Sequence, residues 1–347
     1  MKVLVINKFS FFNVFPALRK MGVEIDVFNS KIEAARFKKL WKLKLPIYQL
    51  LDIVGFHKIS KSYDIIHANG AYSGGLPLIF RFPYILHCRG TDVRKNLRQP
   101  IIGNLTKIYL KHAKKVLLST PDLYEYVNKI RKDAMYVPNP IDTDLFRPKP
   151  KKGNKIKILL CSGLKAGKGG EKILEAVKII KREYPNIEIN SSGMGIEPQN
   201  YKQKIENPHT CLIYPRREIE KFGIKMLPVV GYEKWSEIIN GNDIVIGQNK
   251  PEGMKDMADG VLGMSELESM ACGKPVVGYV RNGLYKEPPP ILSTDKSSEI
   301  AEYVKMLIED KRERRKLGER ARRWVVKHHD SKKVAREIFD IYEKVIG

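Results

Sequence analysis

Short apolar runs alternate with helix-period stretches along the whole 347-residue chain, the pattern of a parallel sheet covered by helices on both faces. In the first half the strand candidates are Val3–Ile6, Val23–Phe28, Asp64–Ala68, Tyr84–Cys88, Val116–Ser119 and Met135–Val137. The periodicity stops at Pro138-Asn139-Pro140-Ile141-Asp142-Thr143-Asp144, which runs through Pro148 and Pro150 into Lys151-Lys152-Gly153 and reads as an interdomain linker. It restarts at Ile156–Cys161 and continues through a helix Lys172–Lys181 and strands Ile187–Asn190, Asp243–Ile246 and Val276–Tyr279. Helical periods near Ser298–Ile308, Arg312–Lys327 and Ser331–Ile346 close the chain. The expectation is an α/β protein of two doubly wound domains, 1–148 and 149–330, facing each other across a cleft, each long enough for its own core.

Composition changes this picture in two ways. Hydrophobic residues make up 43% and charged residues 29%, with no apolar run of membrane-span length, and Met1–Ile6 is too short for a signal peptide. The four cysteines, Cys88, Cys161, Cys211 and Cys272, are scattered without a CxxC pair, which argues for a reducing, cytoplasmic setting and against a zinc site. The net charge of +24 is concentrated early: residues 1–115 hold 21 Lys/Arg against 6 Asp/Glu. Such a surplus points to an anionic partner or to a lysine-rich solvated surface. No helix-turn-helix or RNA-binding aromatic signature accompanies it, so no specific nucleic acid is expected. The most basic segment is Lys31–Leu45, where Lys31, Lys38, Lys39 and Lys42 share one side of a helical wheel and Phe37, Leu40, Trp41 and Leu45 the other, with Arg36 and Lys44 intruding. It reads equally as a helix lying on an anionic membrane or as a helix packing on the sheet. The first alternative makes the protein peripheral on the inner face of the membrane.

The most informative segment is Gly260-Val-Leu-Gly263-Met264-Ser265-Glu-Leu-Glu268-Ser-Met-Ala-Cys272-Gly273-Lys274-Pro275-Val276-Val277, a glycine-punctuated loop, a short helix and a strand. Backbone N–H groups at such a helix start can hold an anion, and Glu268 lies a turn further in, suited to a ribose diol. Ser265-x-x-Glu268 is also a capping box, an architectural alternative for the same two residues. Gly163-Leu-Lys165-Ala-Gly167-Lys168-Gly169-Gly170 places two ammonium groups at another strand-to-helix turn, without the spacing of a Walker A loop. Asp142-Thr143-Asp144 lies in the linker after Pro138-Asn139-Pro140 and reads as turn chemistry, so no metal is expected. His87 and Arg89 fall on one face of a strand by alternation, ahead of Gly90-Thr91-Asp92.

The 260–277 segment closely resembles the donor-site signature of the family-4 (group 1) retaining glycosyltransferases of the GT-B fold, in which two Rossmann-like domains face across a cleft. The motifs around His67, Pro138-Asn139-Pro140, Asp243 and Arg322-Arg-Trp324 resemble their family counterparts in the same order. The resemblance implies transfer of a hexose from a nucleotide-diphosphate sugar to a lipid-linked or polysaccharide acceptor, with no metal or cofactor. It also implies a last helix, 331–347, that packs back on the first domain. On the donor side it implies Lys165, Lys168, Gly260, Gly263, Met264, Ser265 and Glu268. Lys168 matches the family lysine and Lys165 is offset by one from the family arginine. The family's first glutamate is Gly260 here, with Asp256 and Asp259 as nearby replacements. On the acceptor side, catalytic candidates are His87, Arg89, which replaces the family histidine, and Asp92, which orients a hydroxyl or caps its loop. Phe9, Phe11 and Phe12 would border the acceptor mouth, beside Lys38, Lys39, Trp41 and Lys42 on the membrane side. The departures at 260 and 89 leave a second reading: a catalytically degenerate binding or regulatory subunit.

Overall fold

The computed structural model describes residues 1–7, 9–31, 45–193, 211–253 and 258–347. The chain forms two compact units, Met1–Pro140 with Ser331–Gly347, and Ile141–Asp330.

The first unit is built on a parallel sheet of β1 (Lys2–Ile6), β2 (Glu24–Phe28), β3 (Ile65–Asn69), β4 (Tyr84–Cys88), β5 (Lys115–Leu118) and β6 (Met135–Tyr136), in the order β2-β1-β3-β4-β5-β6. Alternate residues of a strand face opposite layers, and here both layers are covered, which is why the strands read as continuous apolar runs. Val3 and Val5 pack with Phe15, Val334, Ile338 and Tyr342, while Leu4 and Ile6 pack with Phe56 and Leu110. The final helix, Ser331–Ile346, therefore contributes to the core of the first unit.

The second unit repeats the plan with β7 (Lys157–Leu160), β8 (Glu188–Ser191), β9 (Ile224–Met226), β10 (Ile244–Ile246), β11 (Val276–Gly278) and β12 (Leu292–Ser293), in the order β12-β11-β10-β7-β8-β9. Ile158 and Leu160 face Ile173, Val177 and Val304; Leu159 and Val245 face Trp235, Leu267, Met270 and Trp324. β9 and β12 are absent from the sequence-based strands. Their two or three residues are too short to show a period.

The division falls at Pro140/Ile141 rather than at the expected 148/149. Ile141 and Phe146 are fully buried in the second unit's core, at about 1.5–3 kcal/mol for each large apolar side chain. That burial draws the stretch read as a free linker into the second unit. Ile141 also bridges to Asp330, so the two points at which the chain passes between units are paired with each other.

In each sheet the chain runs out to one side and returns on the other, between β1 and β3 in the first and between β7 and β10 in the second. Ligands of doubly wound sheets bind outside the carboxyl ends of strands at such switch points.

Candidate functional site

At the β7/β10 switch point three segments are tied together by Gln248. Its side chain accepts from Lys168 Nζ at 2.5 Å and donates to the carbonyl of Val261. The neighbouring Asn249 N–H donates to the Lys168 carbonyl at 2.9 Å. Gly169 permits this closure: it has φ +67°, and a Cβ there would lie 2.8 Å from the Asn249 backbone. The helix Met264–Ala271 opens toward the same strand ends with Gly263 as its N-cap and no side-chain cap. Its first N–H groups therefore lack intrahelical partners and carry the positive end of the helix dipole. Lys165 is pushed down to about 8, first by burial and then by the Lys168 charge, against the pull of Cys161 and Glu266.

The carboxylate that reaches this switch point is Glu266, a residue the sequence reading passed over. Its Oε1 accepts from the Gln248 N–H at 2.5 Å and from Ser162 Oγ at 2.9 Å, bridging the ends of β10 and β7. Its Oε2 is buried without a hydrogen-bond partner among the described residues. Gly247 and Gly263 make room for it, since a Cβ would lie 2.7 Å from Glu266 Cγ at the first and 2.6 Å from Oε2 at the second. Two carboxylates two residues apart on a helix point about 200° apart, so only one of Glu266 and Glu268 can face the strand ends.

Glu268 turns the other way. It is 4% exposed, its Oε2 accepts from Trp235 Nε1 at 2.8 Å, and Tyr232 also bonds it. Burial pushes its carboxyl up to about 7 against the opposing effect of those two hydrogen bonds, with the Glu266 charge adding to the rise. The capping box does not form, because the helix begins before Ser265, whose carbonyl accepts from Ser269 Oγ at 2.7 Å. Gly260 has φ +67°, and a Cβ there would lie 2.3 Å from the Arg281 backbone nitrogen. Within this backbone the position is closed to the glutamate usual in the family.

In the first unit, the loop after β4 is organised by Asp92. Its carboxylate accepts from the N–H groups of Ala71 (2.6 Å), Gly90 (2.6 Å) and Arg89 (3.0 Å). That is the loop-capping alternative for Asp92. The Arg89 guanidinium donates to Asn139 Oδ1 at 2.8 Å and meets His87 Nε2 at 3.3 Å. An arginine only donates, so His87 Nε2 accepts and its ring proton sits on Nδ1. That N–H then donates to His67 Nε2 at 3.3 Å, and His67 Nδ1 donates to the Tyr342 hydroxyl at 2.8 Å. The direction of the whole chain follows from the arginine. Burial, with the nearby Arg89 charge, lowers His67 to about 3 and holds His87 well below its ordinary value, so both rings are neutral. Burial also lowers Arg89, to about 10, which leaves it charged at neutral pH.

Residues 10–145 match the family model described as Glycosyltransferase Family 4, and residues 175–340 match one described as Glycosyl transferase-like. Among solved structures, the chain is similar to a sucrose-phosphate synthase from Thermosynechococcus elongatus, with 15% identity, TM-score 0.75 and 99% of each chain covered. HepE from Anabaena, solved with UDP-glucose, has 15% identity and TM-score 0.72, with 99% of this chain and 100% of that one covered. A glycosyltransferase from Rickettsia africae has 14% identity and TM-score 0.66, covering 99% and 98%. This chain is a glycosyltransferase of the GT-B type. In sequence, no curated protein matches it.

The remaining expected residues of this glycosyltransferase fall in three groups. His87 is fully buried with both ring nitrogens engaged, so it supports Arg89 from behind and is not open to a ligand. Phe11, expected at the acceptor mouth, is a core residue: it is fully buried and its ring stacks on His67 at 4.1 Å between centroids. The 3₁₀ turn Phe9–Val14 that follows β1 directs it inward and leaves Phe12 at the surface. Asp142 Oδ1 accepts from the N–H groups of Asp144 (3.1 Å) and Leu145 (3.0 Å), turn chemistry as read from the prolines. Lys38, Lys39, Trp41, Lys42 and Asp256 lie outside the described residues. Near the β1/β3 switch point a cavity of about 350 Å³ is lined by Asn7, Ser73, Tyr72, Ile53, Leu76 and Ile79 among others.

Proposed function

We propose that this glycosyltransferase is a retaining, metal-independent hexosyltransferase that takes a nucleotide-diphosphate sugar as donor and a lipid-linked or polysaccharide acceptor. The observation that carries the reading is the β7/β10 crevice, where Lys168, the half-buried Lys165 and the open start of the helix Met264–Ala271 converge. Breaking the sugar–phosphate bond leaves negative charge on the diphosphate, which fixed ammonium groups and backbone N–H groups stabilise as it develops. No side chain is assigned as a nucleophile; departure of the phosphate on the face that the acceptor attacks fits retention. Arg89 is assigned to the acceptor side, as the resemblance implies; Glu268, which the resemblance would put on the ribose diol, is turned onto Trp235 and Tyr232 and receives no ligand role here.

The acceptor reading rests on the first unit. The helix Leu45–Ser60 exposes Ile47, Leu50, Leu51 and Val54, and its Ile53 lines the cavity. The helix Pro100–His112 exposes Ile101, Ile102 and Leu105. Apolar faces within a strongly basic half suit an anionic lipid surface, at about 1 kcal/mol for each basic residue near it. No helix among the described residues is long and apolar enough to cross a membrane. Liposome co-sedimentation should require anionic lipid, weaken with salt, and drop when Lys38, Lys39 and Lys42 are changed together to Glu. Equal recovery with neutral and anionic liposomes removes the membrane from the reading.

The donor is tested by a thermal-shift panel of UDP, GDP and ADP, since a ligand that binds only the folded protein raises its melting temperature. UDP heads the panel because HepE was solved with it. Release of free sugar from UDP-glucose and other donors, with and without EDTA, then measures turnover. No shift with any nucleotide sinks the donor reading, and strict dependence on added metal sinks metal independence. The second reading, a binding subunit, draws on the closed position at Gly260. It predicts nucleotide shifts without turnover.

A further inference from the structure

We propose that Glu266 recognises hydroxyl groups of the sugar carried by the donor. The inference rests on the nucleotide-sugar reading and extends it to a residue outside the resemblance. Position 260 itself has no room, since a side chain there meets the Arg281 backbone. Glu266 is 2% exposed; its Oε1 is satisfied twice and its Oε2 has no partner among the described residues. A carboxylate oxygen kept from water without a donor is strongly unfavourable, and a ligand that donates a hydrogen bond removes that penalty.

The chemistry of the crevice selects the ligand group. A diphosphate offers no proton and repels a carboxylate, so Glu266 faces a neutral, hydroxyl-bearing part of the donor. The anion belongs to Lys168, held by the Gln248 side chain whose backbone N–H binds Glu266. Phosphate and hydroxyl recognition are thus built on one residue, side by side. The rival carboxylate, Asp259, also has a buried oxygen without a partner, but its side chain is 44% exposed and its other oxygen meets Arg281 at 3.5 Å.

Calorimetry on wild type, Glu266→Gln, Glu266→Asp and Asp259→Asn compares UDP with UDP-glucose and UDP-N-acetylglucosamine, and GDP with GDP-mannose. Glutamine can keep an acceptor for Ser162 and Gln248 while replacing the free oxygen by an N–H₂ group, so the fold is retained and the acceptor becomes a donor. For Glu266→Gln the nucleoside diphosphate affinity should be unchanged and the nucleotide-sugar affinity should fall on the order of tenfold or more. Glu266→Asp, which retracts the carboxylate but keeps its charge, should show an intermediate loss. It serves as the working variant if the glutamine form melts early. Equal loss for diphosphate and nucleotide sugar makes Glu266 a scaffold or ribose contact and overturns the proposal; no loss for either also overturns it. A loss that follows Asp259→Asn instead moves the role there. A wild type that binds diphosphate but gains nothing from any sugar overturns the role of Glu266 alone. A wild type that binds neither overturns the donor reading and this role with it.

Discussion

The polar clusters at the carboxyl ends of the two sheets differ in how much of their hydrogen bonding they spend on the protein itself. In the first unit, Arg89, His87, His67 and Tyr342 form a chain with a single direction, and Asp92 is used up on three backbone N–H groups. Asn69 Oδ1, buried without a partner among the described residues, is the exception. In the second unit, Glu266 Oε2 has no partner among the described residues, and the helix Met264–Ala271 starts without a side-chain cap among them. A closed network fixes geometry and adds to stability; an open one stores unsatisfied groups for a ligand to complete. The difference is a physical basis for assigning positioning to the first cluster and binding to the second.

The sharpest way to break that comparison is to remove a closed acceptor. Asp92→Ala strands three backbone donors, at about 1–3 kcal/mol for each unsatisfied group. It should therefore lower the melting temperature strongly, by about 3 kcal/mol or more in stability. Loss of turnover at an unchanged melting temperature would instead make Asp92 a ligand-facing group. The opposite result is expected for Lys168→Ala: turnover falls on the order of 10²-fold, the effect of losing one preorganised stabiliser of developing charge, while the melting temperature barely moves.

Acid and base should affect the two clusters in opposite senses. A histidine titrates near 6.5 when unfolded, whereas folded His67 is lowered to about 3, so the unfolded state binds more protons in between. Stability from this group is lost as pH falls from about 6.5 toward 3. Folded Glu268 titrates at about 7 against an ordinary 4.5, so the folded state holds the extra proton and stability is lost as pH rises through that window. Urea midpoints from pH 4 to 8 should show His67→Gln reducing the acid-side loss, to which buried His87 also contributes, and Glu268→Gln removing the other. If Glu268 also holds the ribose, the same variant weakens nucleoside diphosphate binding. The smallest effect concerns Lys165: because it titrates at about 8, diphosphate affinity should weaken a few-fold as pH rises through that value. A flat profile assigns the anion to Lys168 and the helix start alone.

Local spacing made the architecture legible. Strand runs such as Val3–Ile6 and Val276–Tyr279, the proline-rich break after Val137 and the loop–helix–strand at Gly260–Val277 depend on neighbours in sequence, and they determined the fold class and the segments that flank the second switch point. Lys168 was legible for the same reason, because its loop follows a strand and precedes a helix. Tertiary structure alone decided which face of a short helix matters. The motif singles out Glu268, but which of Glu266 and Glu268 reaches the strand ends is decided only when Trp235 takes one and the ends of β7 and β10 take the other. Likewise the roles of Phe11 and His87 rest on Tyr342 and Arg89, and the hydroxyl that completes the chain comes from 275 residues away from His67. Burial and hydrogen-bond partnership are properties of what surrounds a side chain, and those surroundings are assembled from distant parts of the sequence only when the chain packs.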